Sequence, residues 1–209
     1  MNLKKRVLLI TLFILEFVAI SILLVNGQLA GFDEFVYTQV STLFNPVMSF
    51  FMLAFTYLGS ASGVIAIALL LLVLKKPRFR YGLPISIALA CSHLFNIALK
   101  LTFARERPSV LRLVAANGLS FPSGHAMNNA TIYFLFLFIS SRIVNSPKHR
   151  LVIIISTVLF PFIIGISRVY CGVHYGSDVI AGWSLGIALA LIFDMLLYSF
   201  ARKRQRLNN

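Results

Sequence analysis

Charge is scarce in this chain. Only 12% of its residues are Asp, Glu, Lys or Arg, where an ordinary soluble domain carries about a quarter. With 59% apolar residues and a mean hydropathy of +0.89, that scarcity excludes a soluble globular domain. Acidic residues are rarer still, six against 19 Lys and Arg. Cysteine occurs twice, at Cys91 and Cys171, so no disulfide framework can form, and no Cys/His spacing suggests a zinc site. No internal repeat and no low-complexity segment is present. A length of 209 residues leaves no room for a second domain of ordinary size.

Long apolar runs are what the chain has instead. Runs of about 20 such residues are long enough to cross the roughly 30 Å of bilayer hydrocarbon. They predict an all-α integral membrane protein, a single transmembrane domain over residues 1–209. Six transmembrane helices are expected in a bundle, at approximately 7–25, 60–76, 81–100, 124–141, 150–167 and 177–200. Asn26–Asn45 reads as an outer loop, and Val47–Tyr57, too short to span, as an interfacial outer helix before the second span. The first run resembles a signal peptide but is long and has no small-x-small cleavage site, so it reads as an uncleaved span.

The net charge of +13 raises the question of nucleic acid, and its distribution answers it. Basic residues cluster at Lys4–Arg6, at Lys75, Lys76, Arg78 and Arg80, at Arg142, Lys148 and Arg150, and at Arg202–Arg206. Each cluster flanks an apolar run, as expected of cytoplasmic loops and termini, where such residues also meet anionic lipid head groups. No basic domain is left to hold nucleic acid. Both termini are therefore expected inside. Lys100, Arg105, Arg107, Arg112 and Arg168 fall on the other side and need a different explanation.

Three stretches on that outer side carry the chemistry. Ser167-Arg168 and His174-Tyr-Gly-Ser-Asp178 sit between two apolar runs, and ionisable residues so close to hydrocarbon mark a functional site by default. His174 and Asp178, four apart, can share a helical face. The carboxylate can then fix the imidazole tautomer and free the other ring nitrogen as a nucleophile. Pro122-Ser123-Gly124-His125 opens the fourth span, with Ser123 as N-cap. The exposed N–H groups of a helix start favour an anion. Lys100 and Arg107 add two cations to Arg168, and together they call for phosphate. Phosphoryl transfer asks mainly for positioning and charge neutralisation, and two histidines can supply nucleophile and general acid. Taken singly, each residue has a plainer reading. His125 can be a backbone-bonded cap, Lys100 an interface snorkeller, Arg105 and Arg112 solvated loop residues, and Trp183 an outer-leaflet anchor.

The pattern Lys100-x6-Arg107-Pro108, Pro122-Ser-Gly-His125 and Ser167-Arg168-x5-His174-x3-Asp178 resembles the three signature motifs of the type-2 phosphatidic acid phosphatase family, whose superfamily includes vanadium haloperoxidases. Order, spacing and residue types match at every functional position. The resemblance implies His174 as a nucleophile forming a phosphohistidine, Asp178 as its orienting carboxylate and His125 as general acid. Lys100, Arg107, Ser123, Gly124 and Arg168 would bind the phosphate. It also implies hydrolysis of the terminal phosphate of a membrane lipid phosphate or diphosphate at the outer face, with no metal or other cofactor. Undecaprenyl diphosphate and phosphatidylglycerophosphate are the expected substrates, with phosphatidic acid also fitting. A phosphotransferase would use the same site. A lipid-phosphate transporter is the alternative of a different class. Against it, no span has the paired mid-membrane breaks transporters often show.

Overall fold

The computed structural model describes residues 2–207, with side chains through residue 200. Among the described residues every regular element is a helix: α1 (Leu3–Val25), α2 (Ala30–Ser41), α3 (Pro46–Leu58), α4 (Ala61–Val73), α5 (Leu83–Phe103), α6 (Gly124–Ser140), α7 (Pro147–Tyr170) and α8 (Gly176–Leu207). One turn of π-helix, Arg78–Gly82, leads into α5.

Helix starts follow from local chemistry. Asn2, Asn45, Ser60 and Ser123 each turn a side-chain oxygen onto the N–H three residues on, at 2.9, 2.9, 3.2 and 3.4 Å. Each satisfies one of the orphan donors of a first turn. Pro46, Pro84 and Pro147 occupy first-turn positions, where a missing N–H costs nothing. At the end of α5, Ala104 adopts a left-handed φ of 46° while its N–H closes on the Lys100 carbonyl, and the chain leaves the helix toward the loop of residues 104–123.

Among the described residues, four helical segments are long and apolar enough to cross a membrane: Leu3–Val25, Arg78–Phe103, Pro147–Tyr170 and Gly176–Phe200. A fifth crossing results if α3 and α4, bent by 54° at their junction, act as one. Large apolar side chains such as Leu8, Leu12, Leu69, Leu70, Val152 and Ile155 face outward. The protein is a multi-pass, all-helical membrane protein. In the region of the expected second span, helix covers only Ala61–Val73. Thirteen residues reach about 20 Å, short of the hydrocarbon thickness, because Gly59 and the Ser60 cap end α3 and restart the chain. The stretch expected as an outer loop holds α2; two acidic residues and a short apolar face hid its helical period.

Apolar burial does not by itself draw helices together in lipid, and small residues set the closest contacts. Gly182 and Gly186 of α8 face the α6 backbone. A Cβ at Gly182 would lie 2.7 Å from the Ser123 carbonyl oxygen, and one at Gly186 2.4 Å from that of Met127. The two helices therefore meet backbone to backbone. Gly165 of α7 makes room for Trp183, whose indole Nε1 donates to the Pro161 carbonyl at 3.1 Å. Trp183 is thus a packing residue within the bundle. Phe17, Phe103 and Phe121 stack as a group that ties α1 to the loop before α6.

Candidate active site

The starts of α6 and α8 lie side by side, joined where the Ser123 N–H donates to the Asp178 carbonyl at 2.9 Å. A cavity of about 420 Å³ opens beside them. Lys100, Arg107, Gly124, His125, Arg168 and His174 line it, with His93, Asn96 and Asn128. Six of the eight residues singled out from sequence share this one space.

His174 sits in the turn before α8 and is 3% exposed. Its Nδ1 lies 3.3 Å from Asp178 Oδ2, and its Nε2 lies 3.2 Å from Arg107 Nη1. Guanidinium only donates, so Nε2 must be the acceptor and Nδ1 carries the proton toward the carboxylate. Burial pushes the imidazole down to about 3, against the upward pull of Asp178. The ring is neutral across the physiological range, with its lone pair on the cavity side.

Asp178 is fully buried behind His174. Oδ2 also accepts from the Tyr175 N–H at 2.9 Å and from the Ser120 hydroxyl. Oδ1 accepts from Arg105 Nη1 at 2.6 Å. Arg105 is therefore no solvated loop residue. Its guanidinium reaches Asp33 Oδ2 on α2 at 2.6 Å, donates to Ser177 Oγ at 2.8 Å and stacks on the Tyr175 ring at 3.8 Å. Asp33, read from sequence as part of an outer loop, is buried and also accepts from the Ser177 N–H and hydroxyl, each at 2.9 Å.

The cations are held by carbonyls and hydroxyls, which leaves their charge uncompensated. Arg107 donates to the carbonyls of Val173, Gly118 and Asn117 at 2.6, 3.0 and 3.1 Å. Lys100 Nζ donates to those of Leu119 and Ser120. Arg168, 5% exposed, donates to the Thr56 hydroxyl of α3, and its buried Nε has no hydrogen-bond partner among the described residues. A buried donor left unmade costs about 1–3 kcal/mol. An anion in the cavity would recover that cost, and three uncompensated cations would favour it.

Two expected residues do not line the cavity. Asp178 stands behind His174, on the Nδ1 side of the ring. Ser123 is fully buried and spends its hydroxyl on capping α6 at the Ala126 N–H. Gly124 does reach the cavity; a Cβ there would lie 2.9 Å from Asn96 Oδ1. Asn128 lines the cavity while accepting from Ser92. Asn129 instead packs between helices, donating to the carbonyls of Gly59 and His125. Sequence reasoning passed over Asp33, Arg105, Ser120 and Thr56. A signal existed for Arg105: it lies between Lys100 and Arg107 of the first motif, on the side where cations needed explaining.

Comparison with known proteins follows the same outline. The family model described as PAP2 superfamily matches residues 81–205. Phosphatidylglycerophosphatase B of Bacillus subtilis is 31% identical over 180 residues, covering 82% of this chain and 87% of that protein. An undecaprenyl-diphosphatase of Sulfolobus acidocaldarius is 32% identical over 157 residues, covering 72% and 68%. The crystal structure of a transmembrane PAP2-type phosphatidylglycerolphosphate phosphatase from Bacillus subtilis superposes with a TM-score of 0.82 at 27% identity, over 91% of this chain and 96% of that one.

Proposed function

The chain belongs to the PAP2 superfamily, and on that premise we propose that it is a lipid phosphatase that works through a phosphohistidine on His174. The observation that carries the reading is the unprotonated Nε2 of a carboxylate-steadied His174, turned to Arg107 in a cavity it shares with Lys100, Arg168 and His125.

In the first step Nε2 attacks phosphorus and the P–O bond to the lipid breaks. Arg107, which donates to Nε2 in this structure, turns its N–H to a phosphate oxygen. Lys100, Arg168 and the N–H groups at Gly124 share the charge of the equatorial oxygens. His125 gives its proton to the leaving oxygen. In the second step His125, now neutral, takes a proton from water, which attacks the phosphohistidine and restores His174. Ser123 supports this by fixing the start of α6. No residue in this scheme calls for a metal.

Six crossings account for the charge pattern if α3 and α4 form one bent span and α6 a short one. The basic clusters then lie in the cytoplasm with both termini, and the cavity opens at the outer face. The substrate is a lipid whose phosphate reaches that interface. Phosphatidylglycerophosphate and undecaprenyl diphosphate are the candidates, on the strength of the relatives that act on them. Purified protein in EDTA should release phosphate from one or both, and His174→Ala should be inert. Hydrolysis by His174→Ala at the wild-type rate would sink the mechanism. A panel of these two lipids with phosphatidic acid decides the substrate.

A further inference from the structure

In the resting site the ion-pair partner of Asp178 is not the histidine, which is neutral, but Arg105. Arg105 is shared. Its second amino group binds Asp33 of α2 at the same 2.6 Å. Two buried carboxylates thus flank one guanidinium. The carboxylates are 2% and 0% exposed and Arg105 13%, so water does little to screen them. The three side chains sum to one negative charge.

We propose that Asp33 and Arg105 are positioning residues of the reaction. Arg105 aims the Asp178 carboxylate, and Asp33 offsets the Arg105 charge so that the cluster keeps its single negative charge behind His174. This rests on His174 being the nucleophile. When Nε2 bonds to phosphorus, the imidazole retains its Nδ1 proton and the ring becomes cationic. The bond from phosphorus to the leaving oxygen breaks, and that oxygen receives the His125 proton. A cluster of net charge −1 stabilises the new cation, whereas a neutral Arg105–Asp178 pair would not. The stacking of Arg105 on Tyr175 and its bond to Ser177 fix the fork in place. None of these residues lies in the cavity that holds Arg107 and Arg168, so substrate binding is left aside.

A plainer role for Asp33 exists, since its Oδ1 caps the first turn of α8 at Ser177 N. Asp33→Asn separates the two, because Asn keeps an oxygen for that N–H while its NH2 replaces the oxygen that accepts from Arg105 and the Ser177 hydroxyl, so the cap stays and the charged partner of Arg105 goes. Steady-state kinetics on the purified full chain, with the lipid that the wild type hydrolyses, should show kcat down about tenfold and KM within twofold. Arg105→Gln leaves two facing carboxylates behind the nucleophile and should lower kcat about a hundredfold. The double variant Asp33→Asn/Arg105→Gln restores a single negative charge on Asp178 and should exceed Arg105→Gln alone in kcat by about tenfold. A structural role predicts the opposite, losses that multiply in the double variant, and that outcome overturns the proposal; so does wild-type kcat in Asp33→Asn. Arg105→Lys keeps the charge and should retain more activity than Arg105→Gln even if Asp33→Asn does not accumulate. Equal loss in the two Arg105 variants overturns the proposal as well. His174→Ala runs alongside: if it is inert while Asp33→Asn is normal, only the positioning roles fall, and if it is active the phosphohistidine falls with them.

Discussion

Every aspartate in the chain is buried and held by arginine, yet the two ends of α8 do opposite things with that arrangement. At its start, one arginine lies between two aspartates, Arg105 between Asp33 and Asp178. About 24 Å along the helix, one aspartate lies between two arginines, Asp194 between Arg6 at 2.8 Å and Arg142, with Tyr198 against both guanidinium groups at 5.8 and 5.4 Å. The first cluster carries a surplus negative charge and stands behind an imidazole. The second carries a surplus positive charge and joins α1, the α6–α7 turn and α8. The packing of α1 on α8 brings Arg6 to Asp194. The lesson is that a buried ion cluster is read by what it leaves uncompensated and by what lies next to that remainder. Cations missing a counterion around a cavity are suited to an anion such as the proposed phosphate, whereas the cluster at the far end closes a helix junction.

The same substitution at both ends tests this directly. Asp178→Asn should lower kcat by about 10³–10⁴-fold, because an amide can no longer hold the tautomer that frees Nε2, and phosphate release reads it. Asp194→Asn should leave kcat unchanged and cost about 2 kcal/mol of stability, since it strands two arginines where little water reaches. A thermal midpoint in detergent, measured with activity, separates the outcomes; loss of turnover in Asp194→Asn would break the contrast. Arg142→Gln should cost less, about 1 kcal/mol, since Arg142 is a third exposed and Arg6 remains. A further effect concerns pH. The folded-state value of His174 is lowered to about 3, while the unfolded chain takes up that proton below about 6.5. Stability therefore falls as pH drops from roughly 6.5 toward 3, by up to about 1.4 kcal/mol per pH unit from this one group. Melting curves at pH 7 and pH 5 should show a shallower drop for His174→Gln than for wild type.

What could be read from the sequence follows the range of the forces involved. Long apolar runs and proline or Asn/Ser caps are local, so α1, α5, α7 and α8 were legible with their approximate ends. The three motifs were legible because phosphate chemistry demands particular residue types, and Lys100, Arg107, His125, Arg168 and His174 do meet around one cavity. The break between α3 and α4 was legible too, as a separate helix over Val47–Tyr57, but the size of its bend and the helical state of Ala30–Ser41 were not, because they depend on packing between helices. Arg105 and Asp33 escaped for a related reason: 72 residues separate them, and nothing in either neighbourhood names the other as its partner. Ser123 was legible as a cap, which is where its hydroxyl goes, and its phosphate-binding assignment came from the motif alone.

Asp33 also borders a second cavity of about 480 Å³, which it shares with Arg105, Tyr37, Pro108, Tyr175 and the far side of His174. A small molecule lodged there would press on His174 from a cavity separate from the one lined by Lys100, Arg107 and Arg168. On the proposed mechanism, with the lipid phosphate held beside those cations, it would slow turnover without contesting the lipid for its seat, and raising the lipid concentration would not relieve it.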